Sequence, residues 1–229
     1  MLAYHNDPKL RKSVIAQMVA HRKADELVQG YAYWKDGKGC AVGCLLKSGN
    51  HVEYETKFGI PQMLAHLEDC IFEGLPVDKA KKWPERFLSA ITPGQDLSTV
   101  GWEFQHRLQI NNLEFAKQQK FPNAVIKAIE LVIDILEPMT KGKKVDEAAA
   151  RSAAAAAEAA AAEAGAAAAA AEAAGAAAAA AAEAAWSAAA AAAGAAAWSA
   201  AAAAGAAAWS AAAYEEMADL LIDIIKAGH

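Results

Sequence analysis

The feature that most constrains this chain is a run from Arg151 to Ala213 in which 47 of 63 residues are alanine. Alanine has the highest helix propensity of any residue, and no proline occurs from Asp146 to the C-terminus, so helix is the local minimum throughout the run. Only Gly165, Gly175, Gly194 and Gly205 oppose it, at up to about 1 kcal/mol each. The run is long enough to span a bilayer. It contains no Leu, Ile, Val or Phe, however, and Glu158, Glu163, Glu172 and Glu183 recur through its first half. An acidic residue at the centre of a membrane helix costs about 2.5–3.5 kcal/mol. The expectation is therefore helix without a membrane.

Within the run lies an 11-residue repeat: Glu172, Glu183, Gly194, Gly205 and Glu216 are evenly spaced. Eleven residues make three turns at about 3.67 per turn, a period that suits straight or slightly right-handed helix packing. Trp198 and Trp209 share this register, whereas Trp186 precedes Trp198 by 12 residues. In a continuous helix Trp198 and Trp209 stand about 20° apart, and Trp186 stands about 120° from Trp198. Gly194 and Gly205 each lie four residues before a tryptophan, on the same face, so a large knob sits beside a small dimple. A surface that is nearly all methyl calls for burial, because apolar patches of this size mark association. The candidate interaction residues are Trp186, Gly194, Trp198, Gly205 and Trp209. One straight helix from Asp146 to Lys226 would reach about 120 Å at 1.5 Å per residue. Closely packed antiparallel helices, forming a hairpin or bundle, are the expected solution, with self-association as the alternative.

The rest of the chain has an ordinary globular composition and divides at about residue 140. Asp7 as a cap, Pro8 at the first helical position and Gly30 as a stop predict a first helix, with Leu10, Val14, Met18, Leu27 and Val28 at helical spacing. Asp36-Gly37 is a turn signal. Cys40–Leu46 could pair across it with Tyr31–Trp34 as a small hairpin, or form a buried helical turn; its helical neighbours favour the helix. Further helices are predicted from Pro61 to Gly74, from Asp78 to Ile91 with a break near Pro84, from Leu97 to Lys120, and from Ala124 to Leu136. The C-terminus ends on an amphipathic stripe of Met217, Leu220, Leu221, Ile224 and Ile225. The fold class is all-α, with a helical domain over 1–140 and an alanine-rich helical region over 141–229.

Charge and cysteine content narrow the function. Residues 1–150 hold 20 basic and 19 acidic residues, and residues 151–229 hold 2 and 8. Neither part is basic enough to neutralise phosphates, so nucleic acid is not an expected partner. Three cysteines, with no signal-like apolar N-terminus, predict free thiols in a reducing cytoplasm.

Several groups could carry chemistry. His21 and Asp25 are four apart on the apolar stripe of the first helix, which predicts a buried structural pair holding register. Cys40 and Cys44 are separated by three residues, where redox motifs and most zinc knuckles use two. On a helix they could still face one metal with His51 or His66, or Cys40 could act as a nucleophile with one of these as base. Small buried apolar cysteines are the competing reading. His51, Glu53, Glu55, His66, Glu68 and Asp69 match no catalytic spacing and read as solvated surface. No phosphate loop, nucleophile elbow or His-Glu-x-x-His occurs. No catalytic residue, cofactor or metal is expected.

The segments "AYHNDP", "DGKGCAVGCLL", "FGIP", "LEDCIFEGLP" and "WPERFLSAI", an Ala/Trp tract and a closing "YEEMADLLIDII" resemble a group of bacterial and phage proteins of unassigned activity. In these an N-terminal domain with a Gly-Cys-Ala-Val-Gly-Cys segment precedes an alanine-rich tail broken by Trp, Tyr, Asp or Arg. The likeness spans almost the whole chain; the tail here has fewer charged interruptions. The resemblance implies a bacterial or phage setting and no particular chemistry. A looser likeness to immunity-type domains with alanine-rich helices implies binding. The expected function is non-enzymatic protein interaction or self-assembly. The alternatives are a metal-binding protein or enzyme using the Cys40–His66 region, and an ice-binding helix, although no threonine ladder is present after Thr140.

Overall fold

The computed structural model describes residues 1–30, 33–121, 123–144 and 211–228. It is mostly helical, with one two-stranded antiparallel sheet. The alanine-rich helices expected between them lie outside the described residues, as do Trp186, Gly194, Trp198, Gly205 and Trp209.

Asp7 accepts a hydrogen bond from the Lys9 amide and Pro8 takes the first helical position, so α1 (Pro8–Lys23) begins where its cap dictates. It does not run to Gly30. Asp25 turns into the left-handed region at φ 56°, and the following residues extend alongside the hairpin, with Leu27 bridging Gly39. Leu27 gains a fully buried position this way, and that long-range pairing overrides the helical spacing. Strands β1 (Trp34–Lys35) and β2 (Lys38–Gly39) pair across Asp36-Gly37. The hairpin is therefore real but shorter than the sequence alternative. Cys40–Leu46 does not contribute a strand; it turns into the helix α2 (Ala41–Leu46).

The glycines of this segment admit a close backbone. A Cβ on Gly43 would stand 1.3 Å from the Tyr33 carbonyl oxygen, and one on Gly39 would stand 1.9 Å from it. The Gly-x-x-x-Gly spacing of "GCAVG" therefore serves packing.

Next come α3 (Glu53–Phe58), α4 (Gln62–Gly74), α5 (Val77–Ala80) and α6 (Trp83–Ala90). Pro84 sits in the first turn of α6, which is why the predicted Asp78–Ile91 helix divides. Then follow α7 (Val100–Gln118), α8 (Asn123–Thr140) and the C-terminal α9 (Ala211–Ala227).

The chain forms two compact units. Met1–Gly101 combine with Trp209–His229 in one, and the other starts at Trp102. The sequence division groups the last helix with the alanine-rich region; here α9 packs on α4 and α6 of the first unit. The core of that unit includes Met18, Tyr54, Leu64, Leu67, Phe72, Trp83 and Phe87, all almost fully buried. In the second unit α7 and α8 share a cluster of Ala116, Val125, Ala128, Ile129, Val132, Leu136 and Met139.

Candidate functional site

The structure brings together part of the sequence-predicted set. Cys40 is the N-cap of α2, its sulfur accepting from the Gly43 amide at 3.5 Å. His51 precedes α3, and His66, Glu68 and Asp69 lie on α4. The His51 and His66 rings stack with centroids 3.9 Å apart at 17°. His51 Nδ1 donates to the Gly49 carbonyl at 3.0 Å, and its Nε2 lies 3.6 Å from Asp69 Oδ2. The Gln62 amide donates to His66 Nε2 at 3.2 Å. Tyr54 donates to Glu68 Oε2 at 2.6 Å, and the Trp83 indole donates to the Glu68 carbonyl at 2.9 Å.

These groups are buried, contrary to the solvated reading of His51, His66 and Glu68 from sequence. The signal lay in α4 itself. Glu68 is four residues from Leu64 and from Phe72, on the stripe that enters the core. Glu53 and Glu55 remain at the partly exposed surface, where Glu53 pairs with Lys57.

The electrostatics work against a nucleophile. Burial pushes the Cys40 thiol far up, and Asp69, which accepts its hydrogen bond, pushes it further. Cys44 is pushed up to about 12 by burial and by Glu26, and its thiol points at the Glu26 and Gly39 carbonyls. Burial drives His66 down to about 3, helped by His51 and opposed by Asp69. Thiolates are the reactive and metal-binding form, and both thiols here are held protonated. Among the described residues no group of three or more His, Cys, Asp or Glu side chains is arranged to hold a metal ion.

The His21–Asp25 pair is corrected. Because α1 ends at Lys23, Asp25 leaves the helical stripe; it is largely exposed and pairs with Lys81. His21 Nδ1 instead meets Glu26 Oε2 at 2.5 Å, with the His21 ring edge-on to Trp34.

A second built feature was legible from sequence in its apolar stripe of Met217, Leu221, Ile224 and Ile225 but not in what that stripe packs against. Helix α9 buries Tyr214, Met217, Ala218, Leu221, Ile222, Ile224 and Ile225. Lys79 pairs with Glu215 at 2.5 Å and Arg86 with Asp219 at 2.6 Å. Gln95 Nε2 donates to the Ile225 carbonyl at 2.5 Å, meeting one of the last-turn carbonyls that a helix cannot satisfy internally. A groove of about 300 Å³ runs between α6 and α9, lined by Leu75, Lys82, Trp83 and Ala218 among others. Among the described residues no helix is long and apolar enough to cross a membrane.

No family model, no curated protein and no solved structure matches this chain.

Proposed function

We propose that this chain acts by protein association, with its own copy or with another protein, through the Ala, Gly and Trp faces of the alanine-rich segment, and that it performs no catalysis of its own. One observation carries the reading. Helix α9 packs in the same unit as Met1–Gly101, so the alanine-rich segment is no trailing tail but an insertion held at both ends by folded helices. By its sequence, a methyl-rich segment joined at both ends to helices of the fold, with indoles repeating at 11 or 12 residues, reads as a surface for another helix. The protonated, buried thiols support the non-enzymatic side of the reading.

The test is analytical ultracentrifugation of the full chain beside Trp198→Ala/Trp209→Ala. The wild type is expected to sediment as an oligomer, or to bind its partner, and the variant to lose this while keeping its helical circular dichroism. Difference fluorescence of the two indoles supplies the contrary outcome: emission at the wavelength of fully hydrated indole would sink the proposal.

A further inference from the structure

Beside the hairpin lies a groove of about 250 Å³. Its apolar lining includes Val28, Phe72 and Ala80, and Val77 stands among them with 64% of its surface exposed. The early end of α1 makes this groove. Asp25 turns at φ 56°, and the extended residues after it line the groove together with α4 and α5. The Gln29 amide donates to the carbonyls of Phe72 at 2.7 Å and Leu75 at 2.8 Å, which fixes the extended segment against the end of α4.

The rim of the groove is positive. Lys38 and Lys81 line it. Lys35 stands directly across from Lys38 in the hairpin register, and cross-strand partners share one face of a sheet. Two like charges so placed weaken a hairpin. Against these three ammonium groups the groove sets one carboxylate, Asp25, which pairs with Lys81. Among the described residues Lys35 and Lys38 form no ion pair of their own.

We propose that this groove docks an acidic segment of a partner protein, with one apolar side chain seated on Phe72 and Val77 and flanking carboxylates meeting Lys35 and Lys38. This goes beyond association through the alanine-rich faces, since every residue of the groove lies within Met1–Gly101. Size and charge together select the occupant. Sites that enclose a small molecule run to about 300–1,000 Å³, and this groove falls below that range. It takes a single anchoring side chain, as the hot spots of protein interfaces do. A phosphate backbone would leave the apolar lining unmatched, and three lysines neutralise few phosphates. A peptide carrying carboxylates around an apolar residue meets both the lining and the rim.

The probe is a short fluorescein-labelled peptide in which glutamates flank one leucine, titrated with the full chain and followed by anisotropy. Binding is expected, and it should weaken as salt rises. Lys38→Glu and Val77→Asp should each weaken it about tenfold or more, by setting a like charge at the rim or in the apolar lining. Both positions are exposed, and Lys38→Glu places opposite charges across the hairpin, so folding is retained. Trp198→Ala/Trp209→Ala should bind the peptide as the wild type does; a loss there would put the peptide on another surface and overturn the proposal. It is overturned equally if the wild type does not bind, if both groove variants bind as the wild type does, or if lysines in place of the glutamates bind as tightly. Displacement of the peptide by a lower concentration of a single-stranded oligonucleotide would make the lysines a phosphate site instead.

Discussion

Glu68 is fully buried, and its carboxyl meets the Tyr54 hydroxyl at one oxygen and, among the described residues, no hydrogen-bond donor at the other. Burial pushes this carboxyl up to about 8; the Tyr54 bond pulls it down and the charge of Asp69 pushes it further up. The folded state thus keeps a proton that the unfolded chain releases near 4.5, so this contribution to stability is full below 4.5 and is lost as pH rises towards 8. His66 runs the other way: its ring stays neutral down to about 3 when folded, so stability is lost as pH falls from 6.5. The two slopes oppose each other between 4.5 and 6.5, and above 6.5 Glu68 acts with Glu73, which burial raises to about 7. Glu68→Gln should flatten the decline between pH 6.5 and 8, worth about 2 kcal/mol at 1.36 kcal/mol per pKa unit. Melting temperature against pH reads this directly, and a variant curve parallel to the wild type would contradict it. The same scale holds a contrast between neighbours. Glu26→Ala removes the partner of a largely buried imidazole and should cost about 1 kcal/mol, whereas Asp25→Asn, which tolerates the left-handed turn and removes only an exposed ion pair, should leave the melting temperature where it is. An equal loss from both would restore the helical pairing that the spacing suggests.

At the scale of elements, local chemistry in the sequence told most where it acts alone. The Asp7-Pro8 start of α1, the Asp36-Gly37 turn, the Pro61-to-Gly74 helix and the break at Pro84 are each decided by one or two residues, and each stands in the structure. The end of α1 was not legible, because the Leu27–Gly39 bridge that terminates the helical spacing joins residues twelve apart. The candidate site was half legible. Cys40, His51 and His66 stood out by residue type, but the role of Asp69 beside both Cys40 and His51 depends on how α4 lies against α2 and α3. The amphipathic stripe of α9 announced that the helix packs, and nothing in it said on what. Gly74 decides that. In place of glycine, an alanine near a helix end would normally gain up to about 1 kcal/mol of propensity. Here its Cβ would overlap the Tyr214 ring, and Gly74→Ala should destabilise by about 1–3 kcal/mol, the usual cost of overpacking. Hydrogen exchange over α9 should rise selectively. Faster exchange spread evenly through α1 and α6 would mean that the clash is absorbed elsewhere.

For the whole molecule, composition separates two roles that the continuous chain joins. The first unit takes its core from Met1–Gly101 and from α9, and in the chain the alanine-rich segment joins α8 to α9; under the proposed function it also carries the association surface. Replacing residues 145–210 by a Gly/Ser chain of equal length keeps the link and removes the surface. Such a linker is a flexible coil with a root-mean-square span of about 45 Å at 66 residues, on the scale of a small folded domain. A linker of that span lets helix α9 keep its place on the α4–α6 face. The first unit should keep its melting temperature, and hydrogen exchange over α9 should stay slow, because the Tyr214, Glu215, Asp219 and Ile225 contacts are all retained. If the natural chain self-associates as proposed, sedimentation of this variant should report a monomer at the same concentrations. Deleting Ala211–His229 from the same variant is the necessary comparison. It strips the α4–α6 face of a partner that buries Tyr214, Met217, Leu221 and Ile225, at roughly 1.5–3 kcal/mol for each large side chain lost, and the unit should melt markedly earlier. If the Gly/Ser chain melts as early as the deletion, the alanine-rich segment is part of the first unit's core, and the division of labour argued here is wrong. If it keeps its stability but still assembles, association runs through the folded units and not through the alanine and tryptophan faces.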